Sequence, residues 1–267
     1  LVSLFFIMMS AQAEIVKPTF VRSAGTNMTI PIGVTLSQDG TKIHFAKFNS
    51  GTNLYQYDLS IPFNVSSIDS SSEVILNVTG TDAMAGGKIE DLTFNGDGTK
   101  VYAIGFTGQM TVHSLSTPYD LSNATQDADD GIDWSSYFSS EVVALGGSSS
   151  NRPHGMRFNN DGTKMFLVNA VNTQGVIEYN LSTPYLPGSA SFGNFFATES
   201  SLEIQDLDFD DDGTRMYVIE SKSGNPSSDK IYAYKLSTGF DTSTATFAGS
   251  IANFFDAAGG DGGPGGM

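Results

Sequence analysis

Four times along the chain an apolar-polar segment runs into Asp-Gly-Thr, then into a hydrophobic strand, then into a tail containing Leu-Ser. The four copies read VTLSQDGTKIHFAK (34–47), LTFNGDGTKVYAIG (92–105), MRFNNDGTKMFLVN (156–169) and LDFDDDGTRMYVIE (207–220). Each is followed by a second aromatic strand, NLYQYDLS (53–60), MTVHSLS (110–116), GVIEYNLS (175–182) and KIYAYKLS (230–237). The Asp-Gly pairs recur 58, 64 and 51 residues apart, and a period of that size marks a repeat architecture in which each unit is one supersecondary element.

Each copy can be built from elementary rules. Val34/Leu36, Leu92/Phe94, Met156/Phe158 and Leu207/Phe209 alternate with small or polar residues, the period of two that a strand requires. Asp-Gly-Thr then turns the chain, because glycine accepts the positive φ of a tight hairpin and aspartate bonds its own downstream backbone. A β-branched or aromatic strand returns, and a third strand ends at Leu-Ser. A fourth is expected in the connecting segments, for example SEVILNV (72–78) and SEVVALG (140–146). Four antiparallel strands with two apolar faces must be covered by neighbours on both sides, which is the blade of a β-propeller. The expected fold is therefore all-β, a propeller of four-stranded antiparallel blades over residues 14–256, with four repeats visible and room for a larger ring.

The runs NNDGTKMFLVN and NGDGTKVYAIG resemble the bacterial WD40-like, or YVTN-type, propeller repeat. The tail LSTPYDLS (115–122), echoed by LSIPFNVS (59–66) and LSTPYLPG (181–188), is similar to a long-repeat variant in secreted bacterial and phage-associated propellers. The resemblance spans roughly residues 17–255 and implies architecture rather than chemistry.

The ends of the chain carry further expectations. LVSLFFIMMSAQA (1–13) is an apolar run closed by Ala-Gln-Ala, the small-residue pattern of a signal-peptide cleavage site, with maturation at Glu14. The run is too short to span a bilayer comfortably. No membrane insertion is expected after cleavage, and the mature chain is expected to be secreted or on a cell surface. The sequence opens without Met or a basic leading segment, which suggests a missing 5′ end. KPTFVRS (17–23) and TATFAGSIANFF (244–255) both read as outer strands, one more than a closed four-blade ring needs. AAGGDGGPGGM (257–267) has no side chains to pack and reads as a flexible tail or linker.

Composition narrows the partners. With 13 basic and 29 acidic residues the net charge is −16, which argues against nucleic acid or an anionic membrane surface. The chain has no cysteine, so disulfides and thiolate chemistry are excluded.

Three histidines separate under the internal alignment. His44 stands where the other copies have Tyr102, Phe166 and Tyr217, and His113 where they have Tyr57, Tyr179 and Tyr234, so both are read as packing aromatics. His154 precedes the first strand of the third repeat, at the place of Ile32, Glu90 and Gln205. Arg152-Pro153-His154-Gly155 resembles the segment leading into an inner strand of lactonase-like and NHL-type propellers, and that resemblance implies a place at the mouth of a central channel. Glu90, Asp91, His154, Gln205 and Asp206 are thus the candidate ligand-binding group, suited to a metal or a polar ligand. Asp208, Asp210 and Asp212 match the start of a calcium loop, although the three sister hairpins share that spacing and Met216 and Ile219 follow where oxygen ligands are wanted. Calcium is the ion such a spacing would suit, and the acidic stretch QDADDGIDW (126–134) is a second cation candidate.

No nucleophile elbow, P-loop, dinucleotide motif or HExxH is present in the sequence. The expected function is a non-catalytic binding scaffold for a protein or carbohydrate ligand, held by loops. The alternatives are a lactonase-like hydrolase with His154 as base or ligand and Glu90, Asp91 and Asp206 as acids or metal ligands, and a module of a larger adhesin or phage appendage.

Overall fold

The computed structural model describes residues 31–47, 52–78, 88–105, 108–127, 153–169, 174–198, 203–221 and 230–252. The signal-peptide segment 1–13, the strands read at 17–23 and 140–146, most of the acidic stretch and the Gly-rich tail lie outside them. Among the described residues are sixteen strands in four antiparallel four-stranded sheets, each with its strands in chain order. The fold is all-β, and each sheet is a propeller blade.

The chain divides into two compact units. The first holds β1 (Pro31–Leu36), β2 (Lys42–Lys47), β3 (Asn53–Leu59) and β4 (Ile68–Asn77), followed by β5 (Ile89–Phe94), β6 (Lys100–Gly105), β7 (Met110–Leu115) and β8 (Ala124–Gln126). The second holds β9 (Pro153–Phe158), β10 (Lys164–Asn169), β11 (Gly175–Leu181) and β12 (Ala190–Ala197), then β13 (Glu203–Phe209), β14 (Arg215–Ser221), β15 (Lys230–Leu236) and β16 (Ala245–Ala252). The stretch read at 72–78 falls in β4, and that read at 244–255 supplies β16, the fourth strand of its own sheet.

The Asp-Gly-Thr tripeptides close the hairpins between the first two strands of every sheet. In the second sheet the Gly98 amide donates to Asn95 O at 3.0 Å. Asp97 Oδ1 accepts the Thr99 amide at 3.0 Å and the Thr99 hydroxyl at 2.5 Å, while Asn95 Oδ1 accepts the Lys100 amide at 2.8 Å. The other three hairpins repeat this pattern through Asp39, Asp161 and Asp212. Hydrogen bonds to these carboxylates, chiefly from Thr99, Thr163 and Thr214 and in the first hairpin from Ser37, hold all four below the usual aspartate range.

The tail motif is joined to the hairpin. Phe63, Tyr119, Tyr185 and Phe240 adopt φ of 57–59°, a left-handed conformation that costs a non-glycine residue about 1–2 kcal/mol. In return each donates its amide to the carbonyl of the hairpin glycine, Gly40, Gly98, Gly162 or Gly213, at 2.8–3.0 Å. Its ring covers that glycine closely enough that an added Cβ would lie 2.2–2.4 Å from a ring carbon. The glycines are themselves at φ of 69–72°, so both the backbone and the ring demand glycine there. A short 3-10 turn follows, starting at Val65, Leu121, Pro187 or Thr242, and it feeds the fourth strand. The side chains of Asn64, Asp120 and Asp241 cap three of these turns.

Apolar side chains pack between the sheets of each unit. In the first unit Ala46 and Leu54 of one sheet meet Leu92, Val101, Ala103 and Leu115 of the next. In the second, Phe166, Val168 and Val176 meet Leu207, Met216, Val218 and Tyr234. Phe94 lies 4.7 Å from His44 of the preceding sheet and Phe209 lies 4.6 Å from Phe166, as layers between blades require. Phe158 pairs with Tyr185 of its own sheet at 5.4 Å, as Phe94 does with Tyr119 at 5.0 Å and Phe209 with Phe240 at 5.2 Å. Among the described residues no helix is long and apolar enough to cross a membrane.

Candidate functional site

The first strand of each sheet departs from regular pairing near its start, with register shifts at Ile32/Val34, Ile89/Asp91 and Ile204/Asp206 and, on the partner strand, at Leu167/Asn169. A bulge re-aims side chains and interrupts the ladder, and the candidate group stands on these irregular positions.

In the first unit Glu90 and Asp91 sit next to each other on β5, 2% and 1% exposed. In the second unit His154 Nδ1 lies 3.2 Å from Gln205 Oε1. Asp206 makes different bonds. Its Oδ1 accepts the Leu207 amide at 2.8 Å, and its Oδ2 accepts from Arg157 Nη2 at 2.9 Å. The Arg157 guanidinium also donates to Met156 O at 2.7 Å and stands 3.8 Å from Asp208. The structure thus brings together His154 with Gln205, and Asp206 with Arg157, while Glu90 and Asp91 belong to the other unit. Sequence reading missed Arg157 as a partner, although its position opposite Phe166 placed a cation where the sister strands have Thr35, Thr93 and Asp208.

The carboxylates of the calcium-like stretch serve the fourth hairpin. Asp208 Oδ1 accepts the Phe209 amide at 2.9 Å, Asp210 Oδ1 the Arg215 amide at 2.9 Å, and Asp212 Oδ1 the Thr214 amide and hydroxyl at 3.0 and 2.6 Å. Burial raises the Asp210 carboxyl, opposed by the bond from Arg215, while the Thr214 bonds lower that of Asp212. Among the described residues no three His, Asp or Glu side chains are grouped so as to hold a metal ion. Of the second acidic stretch, Asp127 is described; it pairs with Lys100 at 2.5 Å and accepts the Ser114 hydroxyl at 3.1 Å.

His44 and His113 are buried, as packing aromatics should be. His44 is fully covered, and its Nε2 donates to Tyr119 O at 3.0 Å. Burial is the main cause that pushes its pKa down to about 4, so the ring is neutral at physiological pH.

Sequence reading also missed two buried polar groups on the third strands. Gln56 Oε1 accepts the Leu121 amide at 2.7 Å. Glu178 Oε2 accepts the Thr242 amide at 2.9 Å and its hydroxyl at 2.8 Å, while Oε1 accepts from Lys164 Nζ at 2.6 Å. The signal was present in the repeat alignment, where these two polar residues share a column with Val112 and Ala233.

No family model matches the chain, and no curated protein does. Among solved structures, the chain is similar to a candidate 6-phosphogluconolactonase from Bacteroides uniformis, with 14% identity, a TM-score of 0.47 and coverage of 83% of this chain and 55% of that one. A functionally unknown protein from Desulfotomaculum acetoxidans gives 14% identity, a TM-score of 0.49 and coverage of 88% and 74%. The β-propeller domain of Cps50 (Swd1) from Myceliophteria thermophila gives 9%, 0.48, and 85% and 61%. The chain spans little more than half the length of the first of these.

Proposed function

We propose that the chain is a non-catalytic binding scaffold, exported and displayed outside the cell, that holds a protein or carbohydrate ligand on the segments connecting its strands. The observation that carries this reading is how the repeat uses its polar residues. The Asp-Gly-Thr carboxylates close hairpins, and Asp206 is held by Arg157 and its own backbone. Glu178 is likewise engaged by Lys164 and Thr242. Chemistry committed to architecture in this way leaves recognition to the parts that differ between repeats. These are the connections, among them 128–152 and the KSGNPSSDK segment (222–230). A scaffold of this kind suits a module of a larger surface appendage.

Binding of the full chain to an array of bacterial and host glycans, and to purified surface proteins, tests the reading. Saturable binding that falls at least tenfold when 222–229 is replaced by an equally long Gly-Ser segment is the expected result. Lactone hydrolysis by the purified chain, lost on His154→Ala, would overturn it in favour of the hydrolase.

A further inference from the structure

Four contacts join the β1–β4 sheet to the β5–β8 sheet in the first unit, and the same four recur between β9–β12 and β13–β16 in the second. A buried side chain on the third strand accepts the amide that begins the next sheet's 3-10 turn, Gln56 from Leu121 and Glu178 from Thr242. A cation or ring nitrogen on the second strand donates to the carbonyl of the left-handed aromatic, His44 to Tyr119 and Lys164 to Phe240 at 2.8 Å. A ring on the second strand packs on the next sheet's first-strand phenylalanine, His44 on Phe94 and Phe166 on Phe209. A glycine near the start of the first strand lets the next sheet's aspartate approach. A Cβ at Gly33 would lie 2.7 Å from Asp91 Oδ1, and one at Gly155 would lie 2.5 Å from Asp206 Oδ1.

The alternation is chemical as well as geometric. In the second sheet of each unit the third-strand position holds Val112 or Ala233, which have no side-chain acceptor, and the glycine position holds Asp91 or Asp206. The 3-10 turns of the first sheets begin with Val65 and with Pro187, and proline has no amide hydrogen to give. The third-strand acceptor and the first-strand glycine of this latch are therefore features of the first sheet of each unit and not of the second. The two latches also use different residues, an amide with an imidazole in one and a carboxylate with an ammonium in the other, so the arrangement recurs where the residue identities do not.

We propose that the latched sheet pair, rather than the single sheet, is the cooperative element of this chain, and that each pair opens and closes as one body. A buried acceptor whose donor lies in another sheet ties the two openings together, because opening one sheet alone takes the partner from a group the other still buries. Elements coupled in this way exchange their amides as contiguous blocks.

Hydrogen exchange read by mass spectrometry on the full chain, with Gln56→Leu and Glu178→Leu, tests the proposal. Glu178→Leu is expected to raise exchange at least tenfold in both β9–β12 and β13–β16 and to leave β1–β8 within twofold of the parent. Gln56→Leu is expected to do the reverse. Glu178→Gln keeps an acceptor for Thr242 and loses the ion pair with Lys164; it should give the same spatial pattern at smaller amplitude, and it serves if the leucine variant does not fold. An increase confined to the substituted sheet, an increase spread over all sixteen strands, or no change in any variant would each overturn it.

Discussion

His44 shows how much a repeat position can override a residue's usual chemistry. Its pKa of about 4 in the folded chain lies well below the unfolded value near 6.5. Above pH 6.5 both states are neutral and the buried ring contributes fully. As pH falls from 6.5 towards 4 the unfolded chain takes a proton that the folded chain refuses, and stability is lost by up to about 3 kcal/mol. Urea unfolding of the parent at pH 7.0 and 4.5 should show this loss, and His44→Phe should remove most of the pH dependence. The Gly98–Tyr119 contact makes a second expectation. Gly98→Ala puts a methyl into the ring and forces a left-handed backbone on alanine, costing on the order of 2–4 kcal/mol. Because the ring is part of that cost, Tyr119→Ala combined with Gly98→Ala should lose less than the sum of the two single changes in a thermal double-mutant cycle. The assignment of His44 and His113 was legible in the sequence because the repeats supply their own alignment. The partner of Asp206 was not, since it depends on how one sheet's Arg157 reaches the next, which period-two patterning does not encode.

Strands and hairpins were the most legible elements, because the Asp-Gly-Thr turn fixes register and the alternation of Leu92 and Phe94 fixes which face is which. The aromatic tail was visible as a motif and opaque as a structure, since nothing local announces that Tyr119 must turn left-handed to reach a glycine on another hairpin. The second-strand aromatics are the heaviest packing units. Phe166 is fully buried between Phe209 and Phe240, so Phe166→Ala should cost about 3–5 kcal/mol through transfer and cavity terms. Phe158 is partly buried, with Tyr185 as one neighbour, and Phe158→Ala should cost less than Phe166→Ala because less of its side chain is removed from water. Thermal unfolding of the two variants side by side measures the ratio, and equal losses would mean that the partial exposure of Phe158 does not lower its packing contribution.

Across the whole chain, an excess of sixteen acidic charges should keep it off polyanions. No retention on heparin or DNA resin at about 0.15 M salt is expected, and retention there would point to a localised basic surface. The pairing of each hairpin glycine with its aromatic has a consequence for how such a chain assembles. Because all four glycines and all four rings are alike, a ring from one repeat could in principle seat on the glycine of another and trap a scrambled arrangement. What separates the right choice from the wrong one is distance and order along the polypeptide. A ring lies about two dozen residues beyond its own glycine and several times farther from any glycine of an earlier repeat, so backward mispairing closes a longer loop at higher entropy cost. The next repeat's glycine is nearly as close and is held off because it is made later. Each ring leaves the ribosome after its own glycine and before the next repeat's, so order of synthesis and loop length together match four similar locks to their four keys.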